Sequence, residues 1–223
     1  MQLSLHLILA SKSPRRQYLL RELGIPFEVR TKEVDESFPA DLKAENIPLY
    51  LCRKKAEAFK NGLQPGQLLI TSDTIVWVNE QVLNKPENEE DAFRMLKMLS
   101  GHMHEVFTGV CLESTGKLKT FFVRSKVFFK PLSDELIRDY VRDCRPFDKA
   151  GAYGAQESLP EGSHPCSQDE VKFLDALGKA HLNTIHHGED GKKNYVLVDR
   201  IEGSYFNVMG FPLRELYAEL LAF

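Results

Sequence analysis

The feature that most limits what this chain can become is an apolar run, Leu5 to Ala10, that turns polar at Ser11-Lys12-Ser13-Pro14-Arg15-Arg16. The run is short and, His6 apart, apolar throughout, as a buried strand is. Pro14 to Leu23 then reads as a helix. Pro14 suits its first turn, where a backbone N–H has no intrahelical partner, and Gly24 ends it. Phe27 to Arg30 reads as a second strand, so the chain opens β-α-β, the mark of an α/β protein. The elbow between strand and helix also has chemistry of its own. Exposed N–H groups and the positive end of the helix dipole favour an anion there. Arg15 and Arg16 add planar donors shaped for phosphate oxygens. The plainer reading is a capped helix start with two solvated arginines.

The rest of the chain extends the α/β pattern. Ile47 to Phe59 reads as a helix. Gln67 to Val78 reads as an apolar strand interrupted by Thr71-Ser72-Asp73-Thr74, and Asn79-Glu80 turns it into Val82-Leu83. A helix over Glu89 to Leu99 precedes three strand-like stretches, His104 to Leu112, Lys119 to Phe122 and Val123 to Phe129. Ser133 caps a helix through Val141. Asp148 to Gln156 is rich in Gly and Ala and reads as a functional loop. Ser167 caps a helix to Ala180, and Thr184 to Lys193 reads as an exposed loop. A strand over Tyr195 to Ile201 and a helix over Phe211 to Leu221, with Pro212 in its first turn, close the chain.

Several side chains can carry chemistry. Asp73 lies between two apolar runs, which places it at a strand end or bulge. A carboxylate there can bind a divalent metal or take a proton from an attacking water; it can also simply form a turn with Ser72 and Thr74. Glu33, Asp35 and Glu36 make a second acidic cluster, a metal-binding loop or a solvated one. Lys55, Lys85 and Lys149 are further cation candidates, and Pro86 holds Lys85 extended. Small residues in the Asp148 to Gln156 loop let backbone approach a ligand, and the Gln156 amide can read a base edge. His102 with His104, and His186 with His187, lack partners at zinc spacing and read as surface or structural histidines.

Composition narrows the classes. A net charge of −3 argues against a broad nucleic-acid surface. Four scattered cysteines without a Cys-x-x-Cys point to free thiols in a reducing compartment. No signal peptide or membrane-length apolar run is read, so a soluble cytoplasmic protein without a membrane partner is expected. Gly-x-Ser-x-Gly, the Walker loop and the dinucleotide fingerprint are absent, which counts against serine hydrolases, P-loop kinases and nicotinamide dehydrogenases.

Taken in order, Leu-Ala-Ser-x-Ser-Pro-Arg-Arg at 9 to 16, Ser-Asp-Thr at 72 to 74, Lys-Pro at 85 and 86 and Leu-Ser-Gly-His at 99 to 102 resemble the Maf family of nucleoside triphosphate pyrophosphatases. So do Asp-Lys-Ala-Gly-Ala-Tyr-Gly at 148 to 154, Ile-Glu-Gly-Ser-Tyr at 201 to 205 and Val-Met-Gly-Phe-Pro-Leu at 208 to 213. The resemblance implies one elongated α/β domain over 1 to 223, of the Maf/ITPase type. It would have a mixed central sheet, flanking helices, and two lobes with a cleft between them. It implies magnesium or manganese dependence, a homodimer, and cleavage of a nucleoside triphosphate to the monophosphate and pyrophosphate. Ser13, Arg15 and Arg16 would hold phosphates, and Lys55 and Lys85 would neutralise the leaving pyrophosphate. Glu36 would help bind metal, and Asp73 would be general base or metal ligand. Arg15, Thr74 and Gln156 match the dTTP/UTP branch rather than its sibling acting on 7-methyl-GTP, with Thr74 and Gln156 contributing to base recognition. The family's link to septum formation leaves a nucleotide-binding regulator without turnover as the other class. The segment from about 157 to 194 departs from the family as an insertion and reads as a passive surface excursion.

Overall fold

The opening strand forms where the apolar run ends in the elbow: β1 is His6–Leu9, and α1 is Pro14–Glu22. The computed structural model describes residues 5–187 and 195–223. Ser13 caps α1 by accepting the Arg16 N–H, and Gly24, in the left-handed region at φ +69°, lets the chain leave the helix. β2 is Phe27–Val29, α2 is Asn46–Glu57 and β3 is Gln67–Val78. β4 is Gln81–Leu83, α3 is Glu89–Leu99 and β5 is Met103–Ser114. β6 is Lys117–Phe129, α4 is Asp134–Cys144 and α5 is Gln168–Ala176. β7 is Val198–Glu202, α6 is Tyr205–Val208 and α7 is Leu213–Ala222.

The strands form one mixed seven-stranded sheet in the order β2-β1-β3-β5-β6-β7, with β4 paired to β3. β1 runs parallel to both neighbours, Leu7 lying opposite Phe27 on one side and Leu68 on the other. β3–β4 and β6–β7 are antiparallel. Asn79 and Glu80 both take positive φ, 49° and 59°, the two-residue turn that matches strand twist in a tight hairpin.

The chain divides into two compact units. The first comprises the chain up to Thr74, Phe107–Val123 and Gly210–Phe223; the second comprises Ile75–Val106 and Arg124–Met209. In the first, Ile8, Cys52, Ala56, Phe59, Leu69 and Cys111 form a buried apolar cluster. Ile8, Phe59 and Leu69 each contribute about 1.5–3 kcal/mol by leaving water. α2 lies so close to β5 that a Cβ on Gly109 would stand 2.5 Å from the Pro48 carbonyl, so only glycine fits.

In the second unit, Asn88 and Ser133 cap α3 and α4, each followed by acids in the first turn. His104 is buried between Phe129 and Tyr153, with Nε2 2.8 Å from the Tyr153 hydroxyl. Burial pushes this imidazole down to about 3, so it is a neutral structural group. Glu170 of α5 is 1% exposed. It closes a capping box with Ser167 and accepts hydrogen bonds from the Ser204 hydroxyl at 2.6 Å, Tyr205 N–H at 3.1 Å and Phe206 N–H at 3.3 Å. α5 is therefore fastened to the start of α6, and this part of the 157–194 segment is not a passive surface excursion.

Several boundaries differ from the sequence reading. β3 is unbroken, because the side chains of Thr71 and Asp73 find partners on α2 and that of Thr74 finds one on β5. Asp73 is thus mid-strand, not at a strand end. Lys119 to Phe129 is one strand, since no Gly, Pro or Asn interrupts it at Phe122. α4 runs on to Cys144, where Arg145 turns left-handed at φ 44°, and α5 stops at Ala176, with Gly178 at φ +68° beyond it. β7 starts only at Val198; Leu197 instead bonds Ser158 and Lys130 through its backbone. α6 lies where no helix was expected. The stretch 188–194, most of the expected Thr184 to Lys193 loop and the end of the 157–194 segment, lies outside the described residues.

Candidate active site

Strand alternation builds the site within the first unit. On β3, Leu69, Thr71 and Asp73 share a face, and that face meets α2. The Thr71 hydroxyl donates to the Cys52 carbonyl at 2.6 Å. Two residues on, Asp73 Oδ1 accepts from Lys55 Nζ at 2.6 Å. Cys52 and Lys55 stand three apart on α2, the spacing that puts both on one side of a helix. Lys55 also donates to Glu36 Oε1 at 2.8 Å, so one ammonium joins two carboxylates from separate segments. Side-chain exposure is 11% for Asp73, 16% for Lys55 and 56% for Glu36, which grades the cluster from a dry end to a wet one. Burial pushes the Asp73 carboxyl above the usual carboxylate range; Lys55, then Arg16, pull it back.

Arg16 braces the same strand. Its Nε donates to the Gly210 carbonyl at 2.8 Å, one terminal nitrogen to the Ser72 carbonyl at 2.8 Å and the other to Thr74 Oγ1 at 3.0 Å. These bonds use three of the five guanidinium N–H donors. Burial works against its charge and the field of Asp73 works for it. Gly210 can serve because it sits at φ +94°, and a Cβ there would lie 3.3 Å from Thr74 Oγ1. The elbow itself is tied down: Ser11 Oγ accepts the Ser13 N–H at 3.2 Å, and the Gln17 side chain donates to the Ser11 carbonyl at 3.1 Å. Ser13 caps α1, and Arg15, beside Arg16, is half-buried.

The other candidates are placed as follows. Of the acidic loop, Glu33 pairs with Lys12 and Asp35 with Lys54, so Glu36 alone joins Lys55 and Asp73. Lys85 and Gln156 belong to the second unit and are exposed, Lys85 just after β4 and Gln156 opening a turn of 3-10 helix, Gln156–Ser158. Lys149 is buried and pairs with Asp148 at 2.9 Å and Glu157 at 3.5 Å. The small residues of its loop serve packing: a Cβ on Gly151 would meet Val76 at 2.9 Å, and one on Gly154 would meet the Glu157 carboxylate at 2.2 Å. Sequence reasoning missed Gly210 and Thr108, whose hydroxyl is 2.9 Å from Thr74 Oγ1. Gly210 was legible in the Val-Met-Gly-Phe-Pro-Leu stretch. Thr108 had no local signal.

A buried carboxylate held by a lysine, beside a guanidinium and an elbow of N–H donors, suits chemistry on phosphate. Comparison with known proteins agrees in kind. The family model described as Maf-like protein matches residues 6–161. The chain belongs to this family. Among its relatives is the dTTP/UTP pyrophosphatase of Bacteroides thetaiotaomicron, 45% identical over 215 residues, which are 96% of this chain and 94% of that one. The protein of the same name from Phocaeicola vulgatus is 43% identical with the same coverage. That from Flavobacterium johnsoniae is 39% identical over 96% of this chain and 93% of its own. A nucleoside-triphosphatase / dITP/XTP pyrophosphatase structure from Mycobacterium abscessus aligns with TM-score 0.38 and 17% identity over 57% of this chain and 76% of that one, too slight a likeness to argue from.

Proposed function

We propose that this Maf-like chain hydrolyses dTTP and UTP to the monophosphate and pyrophosphate. The observation that carries the reading is the Lys55 ammonium shared by buried Asp73 and half-exposed Glu36, in a chain whose relatives over 96% of its length are named dTTP/UTP pyrophosphatase.

In the reaction, water attacks the α-phosphorus, the bond from that phosphorus to the bridging oxygen of the β-phosphate breaks, and pyrophosphate leaves. Asp73 accepts the proton of the water, a role that its raised carboxyl suits better than an ordinary one. Ser13, Arg15 and the two unengaged N–H donors of Arg16 hold phosphate oxygens. Lys55 and Lys85 offset the charge that builds on the leaving pyrophosphate. Thr74 and Gln156 discriminate the pyrimidine.

Among the described residues no cluster of three or more His, Cys, Asp or Glu could hold a metal alone. The hard carboxylate of Glu36 still fits a cation of the magnesium type, which binds through one or two carboxylates plus substrate phosphates; Asp73 would be its second ligand only in place of its role as base. When bound, such a cation supplies charge neutralisation at phosphate oxygens. The same reading makes the protein a cytoplasmic homodimer acting on free nucleotide, without nucleic-acid or membrane partners. No helix among the described residues is long and apolar enough to cross a membrane.

The test is pyrophosphate release from a nucleotide panel with magnesium or manganese. The expected result is turnover of dTTP and UTP well above that of purine nucleotides. Activity confined to 7-methyl-GTP would move the chain to the sibling branch. Nucleotide binding without any turnover would make it a regulator.

A further inference from the structure

We propose that Thr108 is a positioning residue for this reaction: its buried hydroxyl orients Arg16 through Thr74, and so sets the backbone that presents Asp73. The inference rests on the pyrophosphatase reading and adds a residue to it.

Thr108 is fully buried on β5. Its neighbour Gly109 points at α2, since a Cβ there would strike Pro48. Successive side chains on a strand face opposite ways, so Thr108 points away from α2, to the side that Thr74 shares. Thr74 Oγ1 has one proton and two lone pairs. It accepts from the Arg16 guanidinium at 3.0 Å and lies 2.9 Å from Thr108 Oγ1. Its next nearest partner is the Gly210 carbonyl at 3.4 Å, which already takes the stronger 2.8 Å bond from Arg16 Nε. Whichever of the two hydroxyls donates, this 2.9 Å bond is shorter than the Gly210 contact and fixes how the Thr74 hydroxyl is turned toward Arg16.

Arg16 carries the effect to the chemistry, because it also holds the Ser72 carbonyl, one peptide before Asp73. Lys55 grips the Asp73 side chain from α2. The relay Thr108–Thr74–Arg16–Ser72 fixes the backbone from the opposite face of the same strand. Without the Thr108 hydroxyl, the long 3.4 Å contact with the Gly210 carbonyl is all that orients Thr74 Oγ1 besides Arg16 itself. The bond from the guanidinium to Thr74, one of its three restraints, is then no longer held in a fixed direction.

Thr108→Val keeps shape and burial but removes the hydroxyl; Thr108→Ser keeps the hydroxyl. With dTTP, Thr108→Val should lower kcat on the order of 10- to 100-fold, the scale of misplaced catalytic groups, with KM within about threefold. Thr108→Ser should restore most of it. In protein labelled with 15N-arginine, the Arg16 Nε–H resonance should shift in Thr108→Val and return in Thr108→Ser, a readout independent of turnover. An active wild type with unaltered kcat in Thr108→Val, or an equal loss in Thr108→Ser, would overturn this inference and leave the pyrophosphatase reading standing. An inactive wild type would overturn both, while the arginine resonance would still report whether the relay exists.

Discussion

Asp73 and Lys55 pull in opposite senses. Burial favours the neutral carboxylic acid, and the adjacent ammonium favours the carboxylate. The reactive form of a general base is the carboxylate, so turnover falls as pH drops through its pKa. Removing Lys55 leaves burial opposed mainly by Arg16. Lys55→Met should therefore move the acid limb of kcat/KM to higher pH and lower the maximum rate. A limb unmoved in that variant would mean that Asp73 is not the titrating group. The sequence singled out Asp73, Lys55, Glu36 and Arg16, because charge near a strand of apolar residues needs a reason, and the structure joins Lys55 to both Asp73 and Glu36. It did not show what Arg16 touches. Its partners Ser72, Thr74 and Gly210 are 56, 58 and 194 positions away, and nothing local encodes such bonds. Thr108 was invisible for the same reason.

At the scale of elements, helix starts were the most legible feature. Ser13, Ser133 and Ser167 each accept the N–H three residues on, as short-range chemistry dictates. Strand interiors were less so, because polar residues in β3 stay in register only through partners that the sequence does not display. Glu170 illustrates the limit. Its capping-box geometry is local, but its carboxylate reaches Ser204, Tyr205 and Phe206 at the start of α6. An acceptor serving five donors cannot be matched by an amide, whose nitrogen would face N–H groups. Glu170→Gln should cost about 2–4 kcal/mol of unfolding free energy, read as a lower urea midpoint at unchanged m-value. A loss below about 0.5 kcal/mol, the range of ordinary surface substitutions, would show that α5 is not anchored through this carboxylate.

For the molecule as a whole, the β-α-β opening and the ordered motifs were enough to expect a mixed α/β sheet with flanking helices, and the chain has that architecture and belongs to the Maf-like family. We propose that this scaffold cleaves the anhydride between the α- and β-phosphates of a pyrimidine nucleotide with Asp73 taking the proton. General-base removal costs about 10²–10⁴ in rate, and Asn keeps the size of Asp, so binding and catalysis can be separated. The most direct measurement follows dTTP by 31P NMR with wild type and Asp73→Asn side by side, with nucleotide affinity measured by calorimetry. Wild type should yield dTMP and pyrophosphate, while Asp73→Asn binds nucleotide and yields at least 10²-fold less product. Release of orthophosphate and dTDP would mean that the β–γ anhydride is cleaved instead, and undiminished turnover in Asp73→Asn would mean that Asp73 is not the base.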